Sequence, residues 1–259
     1  MPTFPWSKKR KASDDEVVES GMTVRQILEE REEYVKNIGI EYRFGCYEEK
    51  RADSCQYLGE YFEAVQTDFK SAFDTFRQNC EQRKFPRSCF KYGQYLAAGR
   101  ECEASFKKAI EPLRLSCDAG IAKGCRVLAL ILWNGESDRP PDSAQAEQFM
   151  KRAAELGDYE ASWTLSTWYL GDTIKYQREK SAPYGHKMGE LSRDMQKALM
   201  YGLKACDEGD IFQSCVNVSL MYRNGEGIPK DEKKAKQYQE RAKELNNMLK
   251  KGWNAGFTA

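Results

Sequence analysis

Cys80-Glu-Gln-Arg-Lys-Phe-Pro-Arg-Ser-Cys89-Phe-Lys-Tyr-Gly-Gln-Tyr-Leu96 sets two cysteines nine positions apart and continues into a rhythm of apolar, small and bulky residues. The pattern returns along the chain. Cysteines at 46, 80 and 117 lead Cys55, Cys89 and Cys125, and Cys206 leads Cys215. The first three leading cysteines are spaced by 34 and 37 residues; a further 37 lands on Ala154, with Ser162 eight beyond it. One unit therefore keeps the frame without its thiols. Self-similarity at such a period is the signature of a repeat array.

Other positions keep the same step. The third residue after the second cysteine slot is Leu58, Tyr92, Leu128, Leu165 or Val218, and the fourth is small: Gly59, Gly93, Ala129, Ser166 or Ser219. The sixth and seventh are bulky: Tyr61-Phe62, Tyr95-Leu96, Ile131-Leu132, Trp168-Tyr169 and Met221-Tyr222. Offsets of three, four and seven share one helical face, so each unit holds a helix with a buried stripe. The expected repeat core is Leu58, Tyr61, Tyr92, Tyr95, Leu128, Ile131, Leu165, Trp168, Val218 and Met221. The small residue lets a neighbouring helix approach closely.

A second helix precedes each leading cysteine. It carries Ala72, Ala109, Ala146, Ala198 or Ala235, and four residues earlier Asp68, Ser105, Asp142, Asp194 or Asp231. Asp and Ser there are expected N-caps, because their side-chain oxygens accept the free N–H groups of a first turn. Gly99, Gly135, Gly171 and Gly225 should end one set of helices, and Gly120, Gly157 and Gly209 the other. The predicted fold is all-α: an α-solenoid of about five helix–turn–helix units. The motif is similar to the Sel-like repeat, a relative of the tetratricopeptide repeat, most clearly at Asn224-Gly-Glu-Gly-Ile-Pro-Lys-Asp231 with Ala235 and Arg241-Ala242.

The expected organisation is a disordered polar tail over 1–22 and an N-terminal capping helix region over 23–45, opened by a capping box at Thr23-Val-Arg-Gln26. The repeat array follows over 46–251, then a C-terminal tail over 252–259. Lys243 stands in the leading-cysteine slot with no repeat after it, which suits a solvated end. An insertion at about 172–193 holds Tyr176, Pro183, Tyr184 and His186 and is read as a tolerated surface excursion.

Composition narrows the chemistry. The chain of 259 residues has 41 basic and 40 acidic side chains, so no nucleic-acid footprint is expected. Its longest apolar run, Val127 to Trp133, is far too short for a membrane span. His186 is the only histidine, which removes most Ser/His, Cys/His and His-rich metal chemistry. No catalytic, cofactor or metal residue is assigned. The N-terminus lacks an apolar secretory core, and Asp14, Asp15 and Glu16 spoil a mitochondrial presequence. Lys8-Lys9-Arg10-Lys11 is a solvated run, or alternatively a nuclear localisation patch.

Nine cysteines remain to be explained. Each leading cysteine falls in the last turn of one helix and its partner early in the next, so a turn brings the two side chains together. Disulfides Cys46–Cys55, Cys80–Cys89, Cys117–Cys125 and Cys206–Cys215 are expected, each contributing roughly 2.5 kcal/mol by chain entropy. Structural zinc favours pairs two to four residues apart, and buried thiols do not explain the joint loss at Ala154 and Ser162. Disulfides imply an oxidising compartment. Cys102 falls outside the frame and is expected to be an unpaired thiol.

Glu41-Tyr-Arg-Phe-Gly-Cys46-Tyr-Glu-Glu-Lys50 with Asp53-Ser-Cys55 resembles the first cysteine unit of the cytochrome c oxidase assembly factor seven family. Phe76 to Cys80 with Ser88 to Gly93 resembles its second, and Ala205-Cys206 to Cys215 with Met221-Tyr222 its last. The resemblance implies a non-catalytic factor of the mitochondrial intermembrane space that supports assembly of respiratory-chain complexes, chiefly the terminal oxidase. Its partners would be respiratory-chain subunits or other assembly factors, and, during import, the compartment's thiol oxidase. A monomer is expected. One alternative is a thiol–disulfide oxidoreductase or haem-handling protein acting on oxidase subunits, with haem the only cofactor considered. Against it, no pair has Cys-x-x-Cys spacing and the leading cysteines sit at helix C-termini. The second alternative is a secreted bacterial-type cysteine-rich repeat protein with penicillin-binding or β-lactamase-like activity. Ser88-Cys-Phe-Lys91 and Ser105-Phe-Lys-Lys108 satisfy Ser-x-x-Lys but lack the companion elements of that site.

Overall fold

The computed structural model describes residues 22–136, 139–171, 188–225 and 227–258. Among them the chain forms eleven α-helices and one π-helical turn. It divides into two compact units, one comprising residues up to 75 with those from 249 onward, the other residues 76–248.

In the first unit, α1 (Val24–Tyr47) opens on a capping box: Thr23 Oγ1 accepts from the Gln26 N–H, and the Gln26 side chain accepts from the Thr23 N–H. This helix also carries Cys46, so it is half of the first hairpin rather than a separate cover. Its partner α2 (Ala52–Tyr61) packs closely because two glycines face it. A Cβ at Gly39 would sit 2.5 Å from the Tyr61 ring, and one at Gly45 2.5 Å from Ser54 Oγ. No glycine ends α2. Instead the chain widens into a π-helical turn over Phe62–Gln66 and leaves through Thr67 at φ 52°. Helix α3 (Phe69–Arg83) begins here, with the Ser71 N–H donating to Asp68 Oδ1 at 3.0 Å.

The second unit stacks antiparallel helices: α4 (Pro86–Ala98), α5 (Phe106–Asp118), α6 (Ala122–Asn134), α7 (Ser143–Glu155), α8 (Tyr159–Leu170), α9 (Met195–Asp207) and α10 (Phe212–Asn224), followed by α11 (Glu232–Thr258), which belongs to this unit as far as residue 248. Ser105, Asp142, Asp194 and Asp231 accept from N–H groups three residues on, at 2.9 to 3.2 Å. Asp158 caps α8 in the same way. The small-residue slot is where these helices meet. A Cβ at Gly93 would stand 2.6 Å from Leu113 Cγ, while Ser166 Oγ donates to the Ala198 carbonyl and Ser219 Oγ to that of Ala235, each at 2.7 Å. One continuous core runs through this unit from Leu96 to Ala235, and at its centre Trp133 and Trp168 stack with centroids 3.8 Å apart.

Two boundaries differ from expectation. The segment expected as a tail over 252–259 continues α11 to Thr258, since no proline interrupts it and isolated glycines weaken a helix without ending it. The insertion is tied down at its end. The Gly189 N–H donates to the Trp133 carbonyl at 2.7 Å, and the Glu190 N–H to Ser143 Oγ at 2.9 Å. Tyr176, Pro183, Tyr184, His186 and the Lys8–Lys11 run lie outside the described residues.

Candidate functional site: the cysteine junctions

Each cysteine pair sits where one helix ends and the next begins. The Cα atoms of Cys46–Cys55, Cys80–Cys89, Cys117–Cys125 and Cys206–Cys215 are 4.5, 4.6, 4.5 and 4.9 Å apart, with the sulfurs at bonding distance. All eight are buried, none more than 4% exposed.

The connecting turns explain why the spacing is sometimes eight and sometimes nine. In the eight-residue case, Cys117 to Cys125, the left-handed residue is Gly120 at φ 87°, three after the leading cysteine. In the nine-residue cases it comes one residue later and is not glycine: Lys50, Lys84 and Asp210, at φ 57°, 54° and 51°. The extra residue lets the turn use the narrow left-handed region that a side chain tolerates at some cost. Gly209 therefore does not end its helix as expected. It is needed for close approach, because a Cβ there would lie 2.3 Å from Tyr159 Cβ.

The junction without thiols keeps this geometry. Ala154 and Ser162 are eight apart, Gly157 turns the chain at φ 88°, and both slots are buried. Ser162 Oγ has no hydrogen-bond partner. Polar clamps surround the junction: Arg126 Nε donates to Asp158 Oδ2 at 2.8 Å, and Lys204 Nζ to the Ala154 carbonyl at 2.8 Å. The second clamp recurs. From equivalent places on α7 and α11, Arg152 donates to the Asp118 carbonyl and Arg241 to that of Asp207, so a cation of one helix satisfies the C-terminal carbonyls of an earlier one.

A second row follows the aromatics. Tyr169 stacks on Tyr201 and Tyr222 on Tyr238, with centroids 6.0 and 5.9 Å apart. Tyr169 Oη donates to Glu147, which also pairs with Lys151 Nζ at 2.5 Å. Burial, then the Glu147 bond, pushes the Tyr169 hydroxyl up to about 12. Burial alone would raise the Glu147 carboxyl, but the Lys151 and Tyr169 hydrogen bonds outweigh it and hold it below the usual range. Tyr61, Tyr95, Leu58, Leu128, Ile131, Leu165, Trp168, Val218 and Met221 are buried. Tyr92 is the exception among the expected core. It is half-buried, because its hydroxyl reaches out to Glu81 at 3.2 Å.

Chemically, this arrangement braces helices. A thiolate exchanging with any of the four pairs would have to reach a buried sulfur. Cys102 is half-buried and unbridged, with its thiol 3.5 Å from the Tyr95 carbonyl. Both Ser-x-x-Lys serines have structural tasks: buried Ser88 accepts from Asn79 Nδ2 at 2.7 Å, and Ser105 caps α5. Among the described residues no group of three or more His, Cys, Asp or Glu side chains could hold a metal ion, and no helix is long and apolar enough to cross a membrane.

Helical hairpins bridged by cysteine pairs at four of their junctions define a cysteine-rich repeat scaffold. The Sel1 repeat model matches residues 86–121, 122–158, 182–210 and 213–247. In that frame Cys117–Cys125 and Cys206–Cys215 each join two successive repeats rather than close one. Solved structures share the fold. A Sel1 repeat protein from Oxalobacter formigenes aligns over 83% of both chains with TM-score 0.59 at 18% identity. A protective antigen of uropathogenic Escherichia coli covers 80% of this chain and 40% of its own with TM-score 0.62 at 18% identity. Cytochrome c oxidase assembly factor 7A of Xenopus laevis is 32% identical over 226 residues, covering 85% of this chain and 90% of its own. Cytochrome c oxidase assembly factor 7 of Homo sapiens is 30% identical, with 90% and 96% covered. The chain belongs to the cytochrome c oxidase assembly factor 7 family of Sel1-repeat proteins.

Proposed function

We propose that this protein is a non-catalytic factor supporting assembly of respiratory-chain complexes, chiefly cytochrome c oxidase, from the mitochondrial intermembrane space. The observation that carries the reading is the placement of four buried cysteine pairs at bonding distance across equivalent helix junctions, in a chain of this family. Such pairs persist where the environment oxidises thiols and are rare in the cytosol. A chain that crosses an outer membrane reduced and is then oxidised folds into a form that can no longer unthread, so the same bonds serve retention. Burial of all eight paired sulfurs favours bracing over exchange chemistry. The role left to the array is to present helix faces to respiratory-chain subunits or other assembly factors. Thiols trapped by alkylation in intact cells, followed by fractionation and mass mapping without reductant, test this. Four bridged pairs and one alkylated cysteine, Cys102, should appear in the mitochondrial fraction released by rupture of the outer membrane. Nine alkylated cysteines would refute the compartment and the retention mechanism.

A further inference from the structure

Among the described residues the α10/α11 hairpin leaves a seat open. In the preceding junction, α9 lies between α8 and α10. A Cβ at Gly202 would fall 3.0 Å from both Val218 Cγ2 and Ser166 Oγ, Cys206 joins Cys215, and Gly209 receives Tyr159. One repeat on, the same slots are Ser219 on α10 and Gln239, Lys243 and Asn246 on α11, with Phe212 in the place of Tyr159. These five residues line one groove of about 260 Å³. It is the place where the next helix of the array would lie.

Its two walls differ. The α10 wall is apolar, with Val216 and Leu220 40% and 44% exposed. The corresponding pairs in earlier repeats are Gln56/Glu60, Phe90/Gln94, Arg126/Leu130 and Trp163/Thr167, so only the last repeat has two aliphatic residues here. Terminal repeats normally turn a polar face outward. The α11 wall is polar, and the groove's two charged lining residues, Arg223 and Lys243, are both cations. Lys243 stands where every thiol-bearing repeat has its leading cysteine, so the occupant's side chain facing it cannot be joined through sulfur. A carboxylate is its complement.

We infer that the α10/α11 groove docks an amphipathic helix of a partner protein, seated as the array's next helix, with an acidic side chain opposite Lys243. This is helix-in-groove recognition using the array's own packing rule. The inference deepens the scaffold reading above and rests on it, but not on the compartment or the oxidase.

The test uses the full chain and two side-chain-cyclised helical peptides copying Phe212–Asn224, one with Cys215→Glu and one with Cys215→Lys. The Glu peptide should bind the wild-type protein about three- to fivefold more tightly than the Lys peptide, the range of one exposed ion pair. The order should reverse on Lys243→Glu. Leu220→Asp should abolish binding of both while leaving the thermal unfolding curve in place, since Leu220 is exposed already. No binding of either peptide, or equal affinities that Lys243→Glu leaves unchanged, would overturn the inference. So would a concentration-dependent dimer dissolved by Leu220→Asp in sedimentation, which would make the occupant a second copy. Free thiols in trapped mitochondrial protein would sink the intermembrane-space reading and leave the peptide result standing.

Discussion

Ala154→Cys with Ser162→Cys should install a fifth bridge at the junction that lacks one. The geometry transfers from its neighbour: Cys117 and Cys125 are also eight apart, their turn residue Gly120 has φ 87° against 88° at Gly157, and their Cα atoms are 4.5 Å apart. Both slots are buried, so the new sulfurs fill sites shaped like those already holding sulfur. Closing the nine-residue loop from 154 to 162 removes about 2.6 kcal/mol of unfolded-chain entropy. Ser162→Cys also removes a buried hydroxyl that has no partner, a group whose burial typically costs about 1–3 kcal/mol. For a chain of this size about 2.6 kcal/mol corresponds to a rise of roughly 5–10 °C in midpoint. Circular dichroism melts of the oxidised double variant against wild type, with Ser162→Cys alone as control, measure it. Thiol counting by mass should find one free cysteine in the double variant. Three free cysteines would refute the claim that the fourth junction keeps the frame of the others, and a closed bridge without a rise in midpoint would refute the entropy argument.

Alkaline titration should weaken the fold between pH 10 and about 12, because the Tyr169 proton is held more tightly in the fold than in an unfolded chain. Its contribution is complete below the unfolded value near 10 and is lost above the folded one, up to about 2–3 kcal/mol. Tyr169→Phe should flatten that part of a urea-stability profile against pH; an unchanged slope would count against it. Gly93→Ala should cost about 1–3 kcal/mol in urea unfolding, because its methyl group would stand 2.6 Å from Leu113 Cγ across the tight α4/α5 contact. Lys204→Met keeps the stem but uncaps the Ala154 carbonyl, and about 1 kcal/mol of protection should disappear from amide exchange at the end of α7. Unaltered exchange there would mean that water satisfies the carbonyl equally well.

What the sequence made legible was whatever repeats. Cysteine spacing, the small slot and the Asp/Ser caps each recur, and five weak signals in register outweigh one strong one. The cation clamps were harder to see, although Arg152, Lys204 and Arg241 occupy the same slot. A lysine or arginine on a helix is usually solvated, and only the stacking of hairpins brings it to an earlier helix end. The π-helical turn was hidden for a different reason. Where other repeats spend a glycine, Val65-Gln66-Thr67 offers none, and the helix reaches a left-handed exit by unwinding into a wider turn. The assignment of Gly209 failed because glycine has two uses, positive φ and lack of a Cβ. Sequence does not separate them when the neighbour that needs the space, Tyr159, is fifty residues away.

The placement of sulfur follows from how a linear array fails. Each hairpin buries its apolar face only against its neighbours, so stability is close to a sum of local terms and the array can open at any weak junction. A bridge across a tight turn shortens almost no path through the chain, and its loop-entropy gain is modest. Its effect is positional: it fixes the angle at which one helix leaves and the next begins, where the small slot demands closest approach. At the fourth junction the same constraint is met without sulfur. Arg126 holds Asp158 and Lys204 holds the carbonyl of Ala154, while at the other end of the same helices the Trp133–Trp168 stack closes the core, covered by Gly189. That packing brings the end of the insertion onto the array, since Gly189 has no Cβ to lift it off the Trp133 ring. The carbonyl clamp is shared with the bridged Cys117 and Cys206 junctions through Arg152 and Arg241, so it supplements sulfur there and serves without it here.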